Sequence, residues 1–167
     1  MASRPRGLRI FRRADGVDLA DTTVMARPVM DPLPDREVLK QIGTTSGYIN
    51  KVLFGDPEQG GMSLIQLWYA PDYALPRHSH DVDCLYYVVA GEAHLGNQVL
   101  RVGDGFFVPA NAPYAYNAGP DGVEVLEFRA TSSFAIRVTE SPARWSQLAE
   151  LARTHRDDWE AQTAAAR

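Results

Sequence analysis

The middle of the chain is a series of short apolar or alternating runs, each stopped by Gly, Pro, Asn or Asp. Met62 to Ala70 is one such run. Cys84 to Val89 is another, followed by Glu92 to Leu95 with Gln98 to Val102, then Gly105 to Val108, Val123 to Ala130 and Phe134 to Val138. β-Branched and aromatic residues between turn residues predict strands. Gly96-Asn97, between two of the runs, predicts a tight hairpin. Many short strands at close spacing predict a sandwich or barrel rather than a parallel sheet. The C-terminal segment has another period. Ser141 and Pro142 form a helix start, an N-cap oxygen followed by Pro at the first helical position. Trp145, Leu148, Ala152, His155 and Trp159 then recur at helical spacing as one apolar stripe.

This pattern divides the chain into an N-terminal arm (1–35), a barrel (36–140) and a C-terminal helix (141–167) packed on the barrel or on a partner subunit. The arm is rich in Asp and Pro and carries Arg4, Arg6, Arg9, Arg12 and Arg13, without the apolar stretch of a secretory signal. The 167 residues suit one domain, and 45% hydrophobic with 23% charged residues suit a soluble globular one. A net charge of −4 argues against nucleic acid as a partner. No apolar run approaches the length of a membrane span. The lone cysteine, Cys84, allows no internal disulfide and is compatible with a cytoplasmic location.

The chemistry centres on P-R-H-S-H, Pro76 to His80. In an extended segment residues two apart project to the same side, so His78 and His80 can share one ligand. Without a bulge the same face continues through Val82, Cys84, Tyr86 and Val88, and Asp81 and Asp83 point away. His94 has the parity to join them, although Gly91 interrupts the strand. A bare H-x-H is as often two hydrogen-bonded histidines as a metal pair.

The stretch from His78 to Gly119 resembles the two linked motifs of the cupin family. In the first, His78, His80 and Gly91 fit, Cys84 stands in the Glu position, and Asp72 replaces the Gly before the first His. In the second, Gly103 and Pro109 fit, Asn111 replaces the Gly, and Tyr114 replaces the His. The resemblance covers about residues 62–138. It implies an all-β fold, an antiparallel β-barrel or double-sheet jelly roll, here with a C-terminal α-helix.

The resemblance also implies one divalent transition metal (Fe, Zn, Ni or Mn) on His78 and His80, with Cys84 and Tyr114 as further candidate ligands. Cys84 as a small buried apolar residue and Tyr114 as a core aromatic are the competing readings. Trp68, Tyr86, Phe107, Tyr116 and Phe128 are candidates for an apolar, aromatic pocket wall. Tyr114 and Glu127 are candidate catalytic groups, Glu127 as a general base if burial raises its pKa. Glu124 is expected to be solvated. The leading expectation is a metal-dependent small-molecule enzyme acting on an apolar, aromatic or enolic substrate, with dioxygenation first among oxygenase, lyase and isomerase chemistries. The alternatives are a non-enzymatic binding or sensing protein, and a metal-independent isomerase, epimerase or cyclase with a His base and Tyr114 as acid. A homodimer is the expected assembly.

Overall fold

In a computed structural model of the chain, residues 7–43 and 46–167 are described. Arg4 and Arg6 lie outside them. The elements are β1 (Val17–Asp18), β2 (Val29–Met30), α1 (Arg36–Gly43), β3 (Tyr48–Phe54), β4 (Ser63–Tyr69), β5 (His78–His80), β6 (Cys84–Leu95), β7 (Gln98–Arg101), β8 (Gly105–Val108), β9 (Asn117–Arg129), β10 (Ile136–Val138), α2 (Pro142–Thr154) and α3 (Arg156–Ala166). One sheet runs β1-β3-β4-β9-β6-β7, with β8 also on β6, and a small sheet runs β2-β10-β5. All pairings are antiparallel except β2 with β10. The two sheets do not close into one ladder. An isolated bridge between His78 and Tyr114 ties the small sheet to the segment before β9.

The centre is the long pair β6–β9. Two expected strands are continuous as β6, and β9 starts earlier than expected, at Asn117. The register shifts around Gly91, which has φ +66°. A Cβ there would stand 2.0 Å from the Gly122 carbonyl oxygen, so glycine alone permits this close approach. The expected hairpin is present, with Leu95 opposite Gln98 across Gly96-Asn97.

Inward residues of the larger sheet form most of the main core, among them Ile65, Leu67, Tyr69, Cys84, Tyr86, Val88 and Val125. Within the N-terminal arm, described residues from Val17 onward are pinned to the barrel. β1 pairs with β3, β2 pairs with β10, and Leu19 and Val24 are buried in the core. The expected single C-terminal helix breaks at His155 into α2 and α3. Ser141 caps α2 by accepting from the Arg144 amide, and Pro142 occupies the first turn. Its apolar stripe packs within the chain, Trp145 against Val138 and Ile42 and Trp159 against Ala70 and Tyr73. His155 stacks on Trp159 as a packing residue. Among the described residues no helix is long and apolar enough to cross a membrane.

Candidate functional site

The parity of the H-x-H segment persists through the turn that follows it. His78, His80, Cys84, Tyr86 and Val88 are buried, while Asp81, Asp83, Leu85 and Tyr87 are exposed. Asp81 and Asp83 instead hold loop backbone, accepting from the amides of Ala135 and Ala110. His78 and His80 sit on β5 with ring centroids 5.3 Å apart. Nδ1 of His78 lies 2.8 Å from the Pro76 carbonyl oxygen, and Nδ1 of His80 lies 3.0 Å from that of Ala135. A carbonyl only accepts, so both Nδ1 atoms carry the proton in the neutral rings and both Nε2 atoms keep a free lone pair. Burial lowers both pKa values. The nearby Arg129 charge adds to the effect at His80, which is lowered to about 4.

Glu127 and Arg129 follow two apart on β9, both inward. They make a buried bidentate pair, with Nη1 to Oε2 at 2.6 Å and Nη2 to Oε1 at 2.8 Å. The guanidinium lies over the Phe134 ring, 3.8 Å from its centroid. Burial alone would raise the Glu127 pKa, as the sequence suggested. The Arg129 charge and hydrogen bonds outweigh burial, and the carboxyl sits below its ordinary value. Glu127 is therefore ionised and fully engaged, a poor general base. Arg129 was legible only as the next inward residue after Glu127.

Tyr86 donates to Glu127 Oε1, and its oxygen also meets the Tyr114 hydroxyl. A phenol has one proton, so the Tyr114 proton points to Tyr86. The result is a directed chain, Tyr114 to Tyr86 to Glu127, closed by Arg129. Tyr114 faces His78 through two backbone hydrogen bonds of 2.9 Å, with its ring 4.4 Å from the imidazole. It occupies the expected position beside the pair, but its proton is already committed.

A cavity of about 300 Å³ is lined by His78, His80, Tyr86, Tyr116 and Glu127, together with Asn50, Tyr69, Tyr73, Phe134 and Trp145, whereas Cys84, Tyr114 and Arg129 are not part of its lining. Of the five expected wall residues, Tyr86 and Tyr116 line it. Trp68, Phe107 and Phe128 do not. Trp68 packs on the outer face against the cluster of Ala70, Ala152 and Trp159. Phe107 and Phe128 are exposed outside, both opposite Leu85. On β8 the aromatic that faces inward is Phe106, stacked on Tyr86 at 4.4 Å, with Val108 also buried. His94 points away, bonded to Glu92 at 2.8 Å. Glu124 is also outside, bound by Gln66 at 2.7 Å and Arg13 at 3.1 Å. Sequence reasoning missed Asn50, Tyr69, Tyr73 and Trp145.

A metal needs more donors than this wall supplies. Two imidazoles with free Nε2 atoms and fixed Nδ1 partners are suited to ligation. The other candidates are not. Burial raises the Cys84 thiol pKa, and burial likewise raises that of Tyr114, so both stay protonated. Glu127 is neutralised by Arg129, whose buried charge beside His80 would repel a second cation. Among the described residues no group of three or more His, Cys, Asp or Glu side chains is placed to hold an ion. The residues present do not fit a tightly held metal.

The motif departures preserve the backbone. Asp72 and Asn111, which replace the two motif glycines, have φ of 60° and 64°, and among the described residues they are the non-glycine ones in this region of φ. Asn and Asp are the side chains that tolerate it best. His78 and His80 lie on β5 with Tyr114 across from His78, Gly91 lies at the register shift within β6, Gly103 in the turn between β7 and β8, and Pro109 directly after β8. The fold is cupin-like. No family model and no curated protein matches the chain. Solved structures are similar to it over about half its length. An RmlC-like cupin from Shewanella frigidimarina is 24% identical, with a TM-score of 0.46 over 51% of this chain and 77% of that one. A protein with a cupin-like fold from Ralstonia eutropha is 23% identical, with a TM-score of 0.46 over 59% of this chain and 65% of that one. A point variant of oxalate decarboxylase from Bacillus subtilis is 17% identical, with a TM-score of 0.46 over 52% of this chain and 26% of that one.

Proposed function

We propose that this cupin-like protein is a small-molecule enzyme that moves protons on an apolar carbonyl or enolic substrate, as an isomerase or cyclase independent of metal. The observation that carries this reading is the meeting, in the lining of one aromatic cavity, of two imidazoles with free Nε2 atoms and the Tyr86 and Glu127 members of a buried Tyr-Glu-Arg chain. The imidazole pair supplies the base. An Nε2 takes the proton from the carbon next to the carbonyl, the C–H electron pair becomes the C=C of the enolate, and the carbonyl oxygen takes the negative charge. Tyr116, which lines the cavity and whose buried hydroxyl neighbours that of Tyr69, supplies the hydrogen bond to that oxygen. The imidazolium returns its proton to the far carbon of a conjugated enolate, or the enolate carbon attacks a second carbonyl of the substrate, whose C=O π bond breaks and whose oxygen takes the imidazolium proton, so no co-reactant is consumed. Glu127 and Arg129 leave the cluster near neutral at rest, and the Glu127 carboxylate stabilises the imidazolium as it forms.

The test is deuterium uptake at the α-carbon of aryl methyl ketones and aryl 1,3-diketones, followed by proton NMR in D2O. Uptake above the buffer rate, lost in a His78→Ala/His80→Ala variant that still folds, supports the proposal. Uptake equal to buffer across the panel contradicts it. A second reading is favoured by the two free Nε2 atoms alone: a weakly held divalent ion completed by substrate. About one iron, zinc, nickel or manganese per purified chain, lost in the same double variant, would establish it instead. The expected homodimer is retained in the proposal, with the exposed row Phe107, Leu85 and Phe128 as its apolar face. Sedimentation of the chain as a monomer would remove it.

A further inference from the structure

The cavity wall combines aromatic faces with two orphaned polar atoms, and apart from the two neutral imidazoles it carries no basic side chain among the described residues. Its carboxylate, Glu127, is held by Arg129 and Tyr86, and its histidines are neutral. No described lysine or arginine lines it. A carboxylate or phosphate entering it would give up water with no charge to receive it, so the wall disfavours anions. Tyr69, Tyr73, Tyr116 and Trp145 present broad apolar surfaces suited to flat rings. Its volume of about 300 Å³ is at the small end for ligand pockets, enough for about two fused rings.

Two buried polar atoms of residues on this wall make no hydrogen bond among the described residues: Asn50 Oδ1 and Trp145 Nε1. Trp145 is 3% exposed. Buried polar groups are rarely left without partners, and such exceptions mark places where a ligand completes the set. Asn50 on β3 and Trp145 on α2 come from two elements apart from the strand that carries the histidines. Asn50 Oδ1 only accepts and an indole N–H only donates. Resting on the proposed catalytic reading of this cavity, we infer that its ligand is an uncharged, flat aromatic molecule bearing a hydroxyl that donates to Asn50 and a hydrogen-bond acceptor that meets Trp145.

The test uses the full-length protein and three matched probes in calorimetric titrations: 6-hydroxy-2-acetonaphthone, 2-acetonaphthone without the hydroxyl, and 6-hydroxy-2-naphthoate with a charge. The hydroxyketone should bind best, the deoxy ketone about fivefold more weakly and the carboxylate at least about tenfold more weakly. Asn50→Leu should abolish the difference between the two ketones, and Trp145→Phe should weaken both. Equal or tighter binding of the carboxylate, a hydroxyl preference that survives Asn50→Leu, or no binding of any probe overturns the inference. The wild-type comparison stands even if a variant fails to fold. Hydroxyketone binding without deuterium uptake refutes the catalytic proposal and leaves the ligand class intact. Uptake on a ketone with preferred binding of the carboxylate refutes the ligand class alone.

Discussion

Replacing Arg129 by Met should strip the buried carboxylate of its counter-charge and invert how stability depends on pH. Both side chains are withdrawn from solvent, Arg129 at 0% and Glu127 at 5%, and they share two short contacts. Breaking a buried pair of this kind by removing one partner costs about 3–5 kcal/mol, because the remaining charge is left uncompensated. For a chain of this size each kcal/mol lowers the melting temperature by about 2–4 °C, so Arg129→Met should melt about 6–20 °C lower at neutral pH. In the native protein the Glu127 pKa is depressed, so its contribution is present above the unfolded carboxyl pKa and is lost as pH falls. In Arg129→Met burial acts without opposition and the folded pKa rises above the unfolded value. The sign reverses: Glu127 then destabilises as pH rises through that raised value, and acid relieves the defect. The double variant Arg129→Met/Glu127→Gln removes the charge altogether and should recover at least about half of the loss. Thermal unfolding of wild type, both single variants and the double variant between about pH 4.5 and 8, values chosen to bracket carboxyl titration, gives the cycle. Equal losses in Arg129→Met and the double variant, or a defect in Arg129→Met that grows in acid, would refute a charged, paired Glu127.

The other predictions concern the elements that build the site. His80, lowered from 6.5 to about 4, is held neutral by the fold, so the unfolded chain binds the proton first. Stability should fall by about 3 kcal/mol as pH drops through that window, and urea midpoints for His80→Gln should show a slope smaller by about one proton. Asn111→Ala should cost about 1–2 kcal/mol at its positive φ, while Asn111→Gly should be neutral within about 0.5 kcal/mol; chemical denaturation distinguishes them. Gly91→Ala combines an unfavourable φ with a Cβ driven into the Gly122 carbonyl and should yield little folded protein, read from soluble yield and circular dichroism.

The fold was legible because its signals are local. The H-x-H segment, the Gly96-Asn97 turn and the Ser141-Pro142 cap each state a backbone geometry in a few residues, and all three are present. Part of the site was legible for the same reason: one period of two carries His78, His80, Cys84 and Tyr86 inward, and the same period makes Arg129 the companion of Glu127. The pocket wall was not. In Met62 to Ala70 both faces are apolar, because Trp68 is covered by the cluster around Trp159 while Tyr69 faces the cavity. Alternation is silent in such a run. At Phe106-Phe107 the two aromatics differ only in face, and Phe106 is the inward one. Trp145 and the N-terminal residues Leu19, Met25 and Met30 reach the cavity through long-range packing that no local pattern records. The charge state of Glu127 was misjudged because burial was weighed without Arg129.

The central claim is that the imidazole pair and its buried Tyr-Glu-Arg chain move protons without a metal. The direct measurement is deuterium uptake by 6-hydroxy-2-acetonaphthone at its acetyl carbon, with one enzyme stock assayed before and after exhaustive chelation and again after adding divalent iron, zinc, nickel or manganese. The account predicts one rate under all these conditions, reduced at least about tenfold in His78→Ala/His80→Ala. A rate that disappears on chelation and returns with one of the ions would contradict it.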